Sequence, residues 1–300
     1  MNTTSTRESV RVESPDGATT TITIAAAADP AAPVVLCLPA MGIEARFYGP
    51  LLDALAKAGL NAAVLELRGL GTSSVRPSRR VDFGYATLAQ LDLPAAIRAT
   101  RARFPSARLH LLGHSLGGQV ATLHLAAHPD ADVRGLVLVA SGIPWHRLWP
   151  LPMRLVVRAI AWLFPFVGRL LGHFPGKRLA FAGDEARTVI ADWGHLARTG
   201  RFAPRGWDGP DPEVALQAVE VPVLGVSLED DLYTPAPVVD FMIAKMTAAP
   251  VERFHYDYRA HGAPPVDHVR WPRHPRVIVE RIAAWIAGLD GAGRVAAGGD

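Results

Sequence analysis

The chain has 300 residues, of which 49% are hydrophobic and 20% charged, so it can bury a large core and is not disordered overall. Its length is typical of one large domain with an insertion. The net charge of +3 is too small to indicate nucleic-acid binding, and the single cysteine, Cys37, excludes an internal disulfide or a cysteine-rich zinc site. The N-terminus MNTTSTRESV lacks the apolar stretch of a secretory signal, which makes the cytoplasm the expected location.

Predicted strands and helices alternate along most of the chain. Residues 8–13 and 19–25 form a strand pair around the turn Pro15-Asp16-Gly17. Short, mostly apolar runs predict strands that are buried on both faces at 33–38, 62–67, 109–113 and 135–140, and further strands are predicted at 221–227 and 251–258. Apolar residues at helical spacing predict helices over 47–59, 87–102, 116–127, 236–247 and 275–288.

This alternation implies an α/β fold. We expect a mostly parallel, eight-stranded sheet with helices on both faces and an antiparallel hairpin at one edge. Ligands of such sheets bind beyond the carboxyl ends of the strands. The residues that directly follow each strand are therefore the candidates for chemistry.

One strand is followed by Gly113-His114-Ser115-Leu116-Gly117, which also opens a predicted helix. This is the G-x-S-x-G nucleophile elbow in the context that the motif requires. The serine lies on a strained turn, where a Cβ at either flanking glycine would collide with the neighbouring strand or helix. The pattern predicts Ser115 as a nucleophile, and the alternative is a glycine-rich turn with an uninvolved serine.

With this elbow, the chain resembles the α/β-hydrolases over about residues 30–288. Further segments resemble a bacterial branch near the serine aminopeptidases, monoacylglycerol lipases and esterases. They read PAMGIEARFY (39–48), RGLGTS (68–73), WPLP (149–152) and FPGKR (174–178). Because the elbow is common to the superfamily, the resemblance implies the fold and a serine hydrolase but not the substrate. It also implies a triad in the chain order Ser, Asp, His.

The acid is expected after strand 221–227, where Asp230 and Asp231 are adjacent. Asp230 lies three residues past Ser227, at the offset that the resemblance implies. The Asp-x-x-x-Pro spacing to Pro235 favours Asp231 instead. We expect Asp230 to be the orienting acid, with Asp231 as the alternative. The aspartate that is not catalytic would stabilise the dipole of the following helix.

The base is expected between the last strand and the last helix, where four histidines are candidates: His255, His261, His268 and His274. His255 lies inside the predicted strand, and His274 lies at the start of the helix. The segment PVDHVRW (265–271) resembles the histidine segment of the branch, which implies His268, and His261 is the alternative. The base takes the proton of the serine, and the acid holds the imidazole in the required tautomer.

The oxyanion of the tetrahedral intermediate requires two N–H donors. One is expected from the amide of Leu116, directly after the nucleophile, and the other from the loop after strand 33–38. Pro39 has no N–H to donate. Many relatives carry His-Gly where this chain has Pro39-Ala40, so the resemblance implies that the next residue, Met41, supplies the second donor, with Gly42 permitting the tight turn behind it.

Residues 141–212 differ in composition from the rest of the chain. Between Ser141 and Pro210 there are ten Lys or Arg but four acids, and five of the seven tryptophans. We expect a helical cap here, inserted between the two parts of the hydrolase core at 1–140 and 213–289. The tail, 290–300, is expected to be disordered.

The apolar runs in this cap are too short and too interrupted to span a bilayer. The cap is expected to cover the active site and line an acyl pocket. Peripheral contact with a membrane or micelle surface is the alternative role for its basic and aromatic residues.

These expectations describe a serine hydrolase that cleaves a small-molecule ester with a hydrophobic acyl group through an acyl-enzyme. No cofactor, metal or nucleic acid is expected. His124 and His128 have no third ligand at a readable spacing, and Gly69-Leu70-Gly71 lacks the rest of a dinucleotide motif. Amide hydrolysis or acyl transfer on the same triad is an alternative, as is a ligand-binding protein of this fold with little turnover. The sequence does not define an oligomeric state.

Overall fold

The computed structural model describes residues 7–179 and 181–297, with side chains as far as Asp290. The strands of this part are β1 (Glu8–Glu13), β2 (Thr19–Ala25), β3 (Val34–Leu38), β4 (Asn61–Leu65), β5 (Leu109–His114), β6 (Gly135–Val139), β7 (His173–Pro175), β8 (Asp184–Ala186), β9 (Val223–Leu228) and β10 (Val251–Tyr256). The α-helices are α1 (Gly49–Lys57), α2 (Tyr85–Thr87), α3 (Leu93–Arg103), α4 (Leu116–Ala127), α5 (Met153–Leu171), α6 (Arg187–Thr199), α7 (Pro212–Ala215), α8 (Ala236–Ile243) and α9 (Arg276–Ala297).

Eight strands form one sheet in the order β1-β2-β4-β3-β5-β6-β9-β10. The pairs from β4 to β10 are parallel, while β1 and β2 add an antiparallel hairpin at one edge. The predicted α/β fold is thereby confirmed. In the centre of the sheet, Leu38 at the end of β3 pairs with Gly113 in β5. This register places the loop after β3 beside the turn after β5.

The central strands are buried on both faces. In β3, Val34, Leu36 and Leu38 belong to a core cluster that includes residues of α3 and α4. Val35 and Cys37 face the opposite cluster, which includes residues of α1 and α9. Successive side chains of a strand point to opposite faces, so an unbroken apolar run serves two cores at once.

The connection from β6 to β9 contains α5, the short β7–β8 hairpin and α6. The two helices pack against each other, and α5 also contacts β7. That this segment is a cap, with the bounds 141–212, stays a prediction.

The last helix continues past its predicted end near residue 288, to Ala297. Residues 298–300 of the predicted disordered tail, 290–300, lie outside the described residues. None of the helices that the structure describes has the length and apolarity needed to cross a bilayer.

Candidate active site

Ser115 lies on a sharp turn between the end of β5 and the start of α4. Its backbone has φ 52° and ψ −118°, a region that residues with a Cβ rarely adopt. The flanking glycines make this turn possible. A Cβ on Gly117 would overlap the carbonyl of Leu38, and one on Gly113 would overlap the backbone of Gly118. Close backbone packing on both sides therefore holds the serine in its strained conformation. Its side chain faces a cavity.

His268 lies between β10 and the 3₁₀ turn Trp271–Arg273, in the loop that faces this turn. Its Nε2 is 3.0 Å from Ser115 Oγ, and its Nδ1 is 2.8 Å from Asp231 Oδ2. The imidazole is thus placed to receive a proton from the serine hydroxyl while a carboxylate contacts its other nitrogen. Ser115 and His268, both predicted from the sequence, are brought together.

Asp231 is held by the turn that precedes α8. Its Oδ1 accepts hydrogen bonds from the amides of Tyr233 and Thr234, at 2.8 and 2.9 Å, and its Oδ2 accepts one from the Thr234 hydroxyl at 2.6 Å. The carboxylate is fully buried. Burial alone would raise the pKa of Asp231, but the hydrogen bonds from His268 and Thr234 outweigh it and lower the pKa. The group is therefore an anion at neutral pH.

The structure differs from the sequence prediction at the acid. Asp230 was expected to orient the base, but the carboxylate against His268 belongs to Asp231, whereas Asp230 is exposed. The reason is the turn after β9, in which the amide of Asp231 donates to the carbonyl of Leu228. That turn directs Asp231 inward, where the amides of Tyr233 and Thr234, before α8, can stabilise its charge.

The alternative base, His261, does not approach Ser115. Its Nδ1 lies 2.7 Å from the carbonyl of Asp257, and its ring stacks on Tyr256. His255 lies on β10, where it contacts Ser227 and Glu229. Neither side chain has a contact with the serine.

The amides expected to form the oxyanion hole flank the nucleophile. Leu116 and Met41 both line the cavity that contains Ser115. Among the described residues, no hydrogen-bond acceptor is found for either N–H. Gly42 has φ +72°, as the expected tight turn requires, and it packs directly on Gly183, beside β8. Two unused donors beside a serine hydroxyl suit an anion that forms during a reaction.

Two further residues connect this loop to the nucleophile, and the sequence analysis missed both. The Tyr48 hydroxyl accepts a hydrogen bond from the amide of Ala40 at 2.8 Å. It lies 2.7 Å from Nδ1 of His114, the neighbour of Ser115. The direction of the hydrogen bond between the hydroxyl and Nδ1 depends on the tautomer of His114. The resulting chain of bonds joins the loop after β3 to the end of β5. No spacing in the sequence indicates this link.

The cavity above Ser115 has a volume of about 590 Å³ and is lined mainly by apolar side chains. Helix α5 supplies one wall through Met153, Val156, Val157 and Ile160. These positions follow the i, i+3, i+4, i+7 spacing of one helical face. Gln119 also lines the cavity, but its amide is already bonded to the Tyr85 hydroxyl and the Gly142 carbonyl. The space is therefore suited to an apolar group.

Glu185, at the base of the β7–β8 hairpin, is a buried acid. Its Oε1 has no hydrogen-bond partner among the described residues. Burial raises the pKa of Glu185 from 4.5 to about 7, although a hydrogen bond from the Gly183 amide opposes this. Ionisation of this carboxyl therefore opposes folding above neutral pH.

Replacing Glu185 with glutamine should stabilise the protein in a pH-dependent way. In the wild type, ionisation of the buried Glu185 carboxyl costs stability once the pH rises above the unfolded pKa of 4.5, and this cost is complete above about pH 7. The stability of the wild type therefore falls between these pH values. At pH 8 the variant should gain up to roughly 3 kcal/mol, while at pH 5 the gain should be about 1 kcal/mol or less. Thermal unfolding at both pH values measures this. The exposed Glu220→Gln is the control, and equal gains at both pH values would contradict the prediction.

An eight-stranded, mostly parallel sheet with a serine on a strained turn after a central strand defines an α/β-fold hydrolase. Residues 29–178, half of the chain, match the family described as serine aminopeptidase, S33. The chain belongs to this family of the α/β-hydrolase superfamily, and it is a hydrolase.

Solved structures with the same fold include a hydrolase from Pseudomonas aeruginosa PA01, which is 21% identical. The match covers 93% of this chain and 98% of that one, with a TM-score of 0.59. The esterase EaEST from Exiguobacterium antarcticum is 16% identical, with 93% and 100% covered and a TM-score of 0.62. A curated relative is RutD of Variovorax paradoxus (strain S110), named for carbamate hydrolysis. The match is 38% identical over 106 residues, which make up 35% of this chain. The chain therefore spans only about a third of that relative, 36% of its length.

Proposed function

We propose that this hydrolase cleaves carboxylic esters with a hydrophobic acyl group through a Ser115–His268–Asp231 triad. The observation that carries the proposal is the unbroken contact from Asp231 through His268 to Ser115 at the wall of an apolar cavity. This arrangement supplies a nucleophile, a base and an orienting carboxylate in hydrogen-bond reach of one another.

In the first half of the reaction, Ser115 Oγ attacks the ester carbonyl carbon while His268 Nε2 takes the hydroxyl proton. The carbonyl oxygen becomes an oxyanion that accepts hydrogen bonds from the amides of Met41 and Leu116. The imidazolium is stabilised by the Asp231 carboxylate. When the tetrahedral intermediate collapses, the bond from carbon to the alcohol oxygen breaks, and His268 returns its proton to the leaving alcohol.

In the second half, water replaces the alcohol as the nucleophile. His268 takes one proton from the water, whose oxygen attacks the acyl carbon bound to Ser115. The second tetrahedral intermediate collapses with release of the carboxylic acid, and the proton returns to Ser115 Oγ. The net reaction is one ester and one water to one acid and one alcohol.

The cavity supports a hydrophobic acyl group rather than the amino terminus of a peptide. A charged amine bound near the serine would need a carboxylate to pair with it. Among the described residues that line the cavity there is no Asp or Glu. The lining instead includes Trp149 and Trp193 together with the aliphatic wall of α5. An alkyl or aryl acyl chain buried there would gain the usual hydrophobic free energy of about 0.8 kcal/mol per methylene.

Hydrolysis of p-nitrophenyl esters from acetate to dodecanoate tests the proposal. We expect kcat/KM to rise with acyl length until the cavity is filled, then to level off or fall. Anilide and carbamate analogues with the same acyl group are the comparison arms, and the ester should be favoured by at least about 100-fold. Faster turnover of the carbamate or the anilide would overturn the ester assignment while leaving the triad in place. Fluorophosphonate labelling without turnover of any substrate would indicate acyl transfer.

Enlarging one cavity side chain should change the acyl-length preference. Val156→Trp places an indole in the wall formed by α5, so the longest acyl chains lose space. We expect the ratio of kcat/KM for decanoate to that for acetate to fall by about tenfold or more, which corresponds to an overpacking cost of about 1–3 kcal/mol. Rates for the two esters measure this.

Val214→Trp is the matched control, because Val214 is an exposed valine on α7, away from the cavity. It should keep the wild-type ratio. An unchanged ratio in Val156→Trp would mean that the acyl group does not occupy the space beside α5.

A further inference from the structure

Helix α5 carries large apolar side chains on the side that faces away from the protein. Its outer face, defined here by five residues, is between 53% and 65% exposed at every one of these positions. The residues are Leu155, Trp162, Leu163, Phe166 and Leu170. Their offsets of 7, 8, 11 and 15 residues from Leu155 place them along one side of the helix. Contiguous apolar surface of this kind marks an interaction site in a folded protein.

The packing of the helix does not account for this face. The opposite side of α5 is the one that folds against the rest of the cap, through the buried residues Val157, Ala161 and Gly168. These pack on α6, including Ile190. The inner side already supplies the apolar contacts for folding, and the outer face stays largely exposed to solvent in the described part of the chain.

The charges around the outer face have one sign. Residues 146–183 contain six Arg or Lys and no Asp or Glu. Arg158 and Arg169 are exposed on α5 itself, and Lys177 and Arg178 are exposed in the following 3₁₀ turn. From α6, the guanidinium of Arg198 stacks over the Trp162 ring at 4.4 Å. An apolar strip bordered by cations complements an anionic lipid surface. A second copy of this chain would instead bring cations against cations.

The same helix leads to the active-site cavity. Met153 and Val156 both line the cavity, and they are 40% and 49% exposed to solvent. The opening of the cavity is therefore on the part of α5 that adjoins the outer face. A surface that contacts this face would lie next to the opening through which an apolar ester reaches Ser115.

We propose that the outer face of α5 docks on an anionic lipid surface, from which a membrane-dissolved ester enters the cavity. The docking rests on the exposed apolar strip and its cations alone. The role given to the ester rests on the proposed function. The two parts are separated by measuring binding with a protein that cannot turn over.

Binding is measured by flotation of the full chain, carrying Ser115→Ala, with vesicles. One set is phosphatidylcholine alone, and the other contains about 30% phosphatidylglycerol. We expect binding to the anionic vesicles that is at least about tenfold stronger than to the neutral ones. Raising the salt to about 0.5 M should weaken it, because charges at a surface are screened. Binding to neither kind of vesicle would overturn the proposal, whatever the activity on soluble esters.

Two double variants test which residues bind, and each has a matched double variant as its control. Trp162→Ser with Phe166→Ser should reduce binding at least tenfold, and Val214→Ser with Val251→Ser, at exposed valines elsewhere, should leave it unchanged. Arg158→Gln with Arg169→Gln should weaken binding about 25-fold, at roughly fivefold for each cation. Arg11→Gln with Arg98→Gln is the matched control.

Equal losses in the test and control pairs would overturn the assignment to α5. So would light scattering that shows a dimer which Trp162→Ser and Phe166→Ser dissociate, since a second copy would then cover the face. Turnover of a soluble short-chain ester by the four variants in the active background checks that they remain folded.

Discussion

Replacing Ser115 with alanine is expected to lower kcat for ester hydrolysis by about 10⁵- to 10⁶-fold. The hydroxyl is the only group placed 3.0 Å from His268 Nε2 within the described part of the chain, so its loss removes the acyl-enzyme route. The measurement is twofold: initial rates on the preferred p-nitrophenyl ester, and intact mass after treatment with a fluorophosphonate. The wild type should gain one adduct, and the variant none.

Ser106→Ala is the control for this experiment, because Ser106 is an exposed serine in the turn before β5, at the opposite end of that strand from the elbow. It should label and turn over like the wild type. Labelling that persists in Ser115→Ala would place the nucleophile elsewhere. A wild type that neither labels nor hydrolyses any ester, with its fold intact, would favour a ligand-binding role for this fold.

Exchanging the two neighbouring aspartates for asparagine should separate them by about four orders of magnitude. Asp231→Asn removes the charge that stabilises the imidazolium and presents an N–H to His268 Nδ1, which favours the wrong tautomer. A loss in kcat of about 10⁴-fold is expected. Asp230→Asn changes an exposed side chain that has no contact with His268, and its kcat should stay within about twofold of the wild type.

The comparison is made at pH 8 on the same ester, with melting temperatures measured in parallel. Asp231 also accepts bonds from Tyr233 and Thr234, so Asp231→Asn should melt at a lower temperature. An activity loss explained by unfolding would appear as a loss of folded protein rather than as a lower kcat. A larger loss in Asp230→Asn than in Asp231→Asn would return the acid to the position that the sequence first favoured.

The centre of the sheet could be predicted because its strands are buried on both faces. A continuous apolar run such as 33–38 is typical of a buried strand when helical patterns lie before and after it, and the observed β3 differs from this run by one residue. The elbow was predictable for a related reason. A serine on so strained a turn needs glycines at fixed positions, and these are visible as letters in the sequence.

The acid was less predictable, because two adjacent residues in a turn point in different directions. Which of them points inward depends on the hydrogen bond between Asp231 and Leu228, and spacing alone does not reveal that bond. One signal was present: Asp231 precedes Pro235 by four residues, a spacing that suits an acid accepting bonds from the amides before a helix. The offset from Ser227 outweighed it in the prediction, and the structure favours the other cue.

The link between Tyr48 and His114 could not be predicted at all. The two residues are 66 positions apart, and both would be interpreted as ordinary core residues. Only the pairing of β3 with β5 brings the loop that contains Ala40 beside the elbow. A network that joins distant loops through one hydroxyl leaves no periodic trace in a sequence.

The contact between Gly42 and Gly183 limits how this enzyme can be re-engineered. A Cβ on either residue would overlap the backbone of the other segment, so the tip of the β7–β8 hairpin touches the loop that carries Met41 with no side chain between them. Swapping the whole insertion for that of another hydrolase, a common way to change substrate range, would remove one wall of the reaction centre. Grafts that exchange α5 but retain residues 173–186 would preserve that wall.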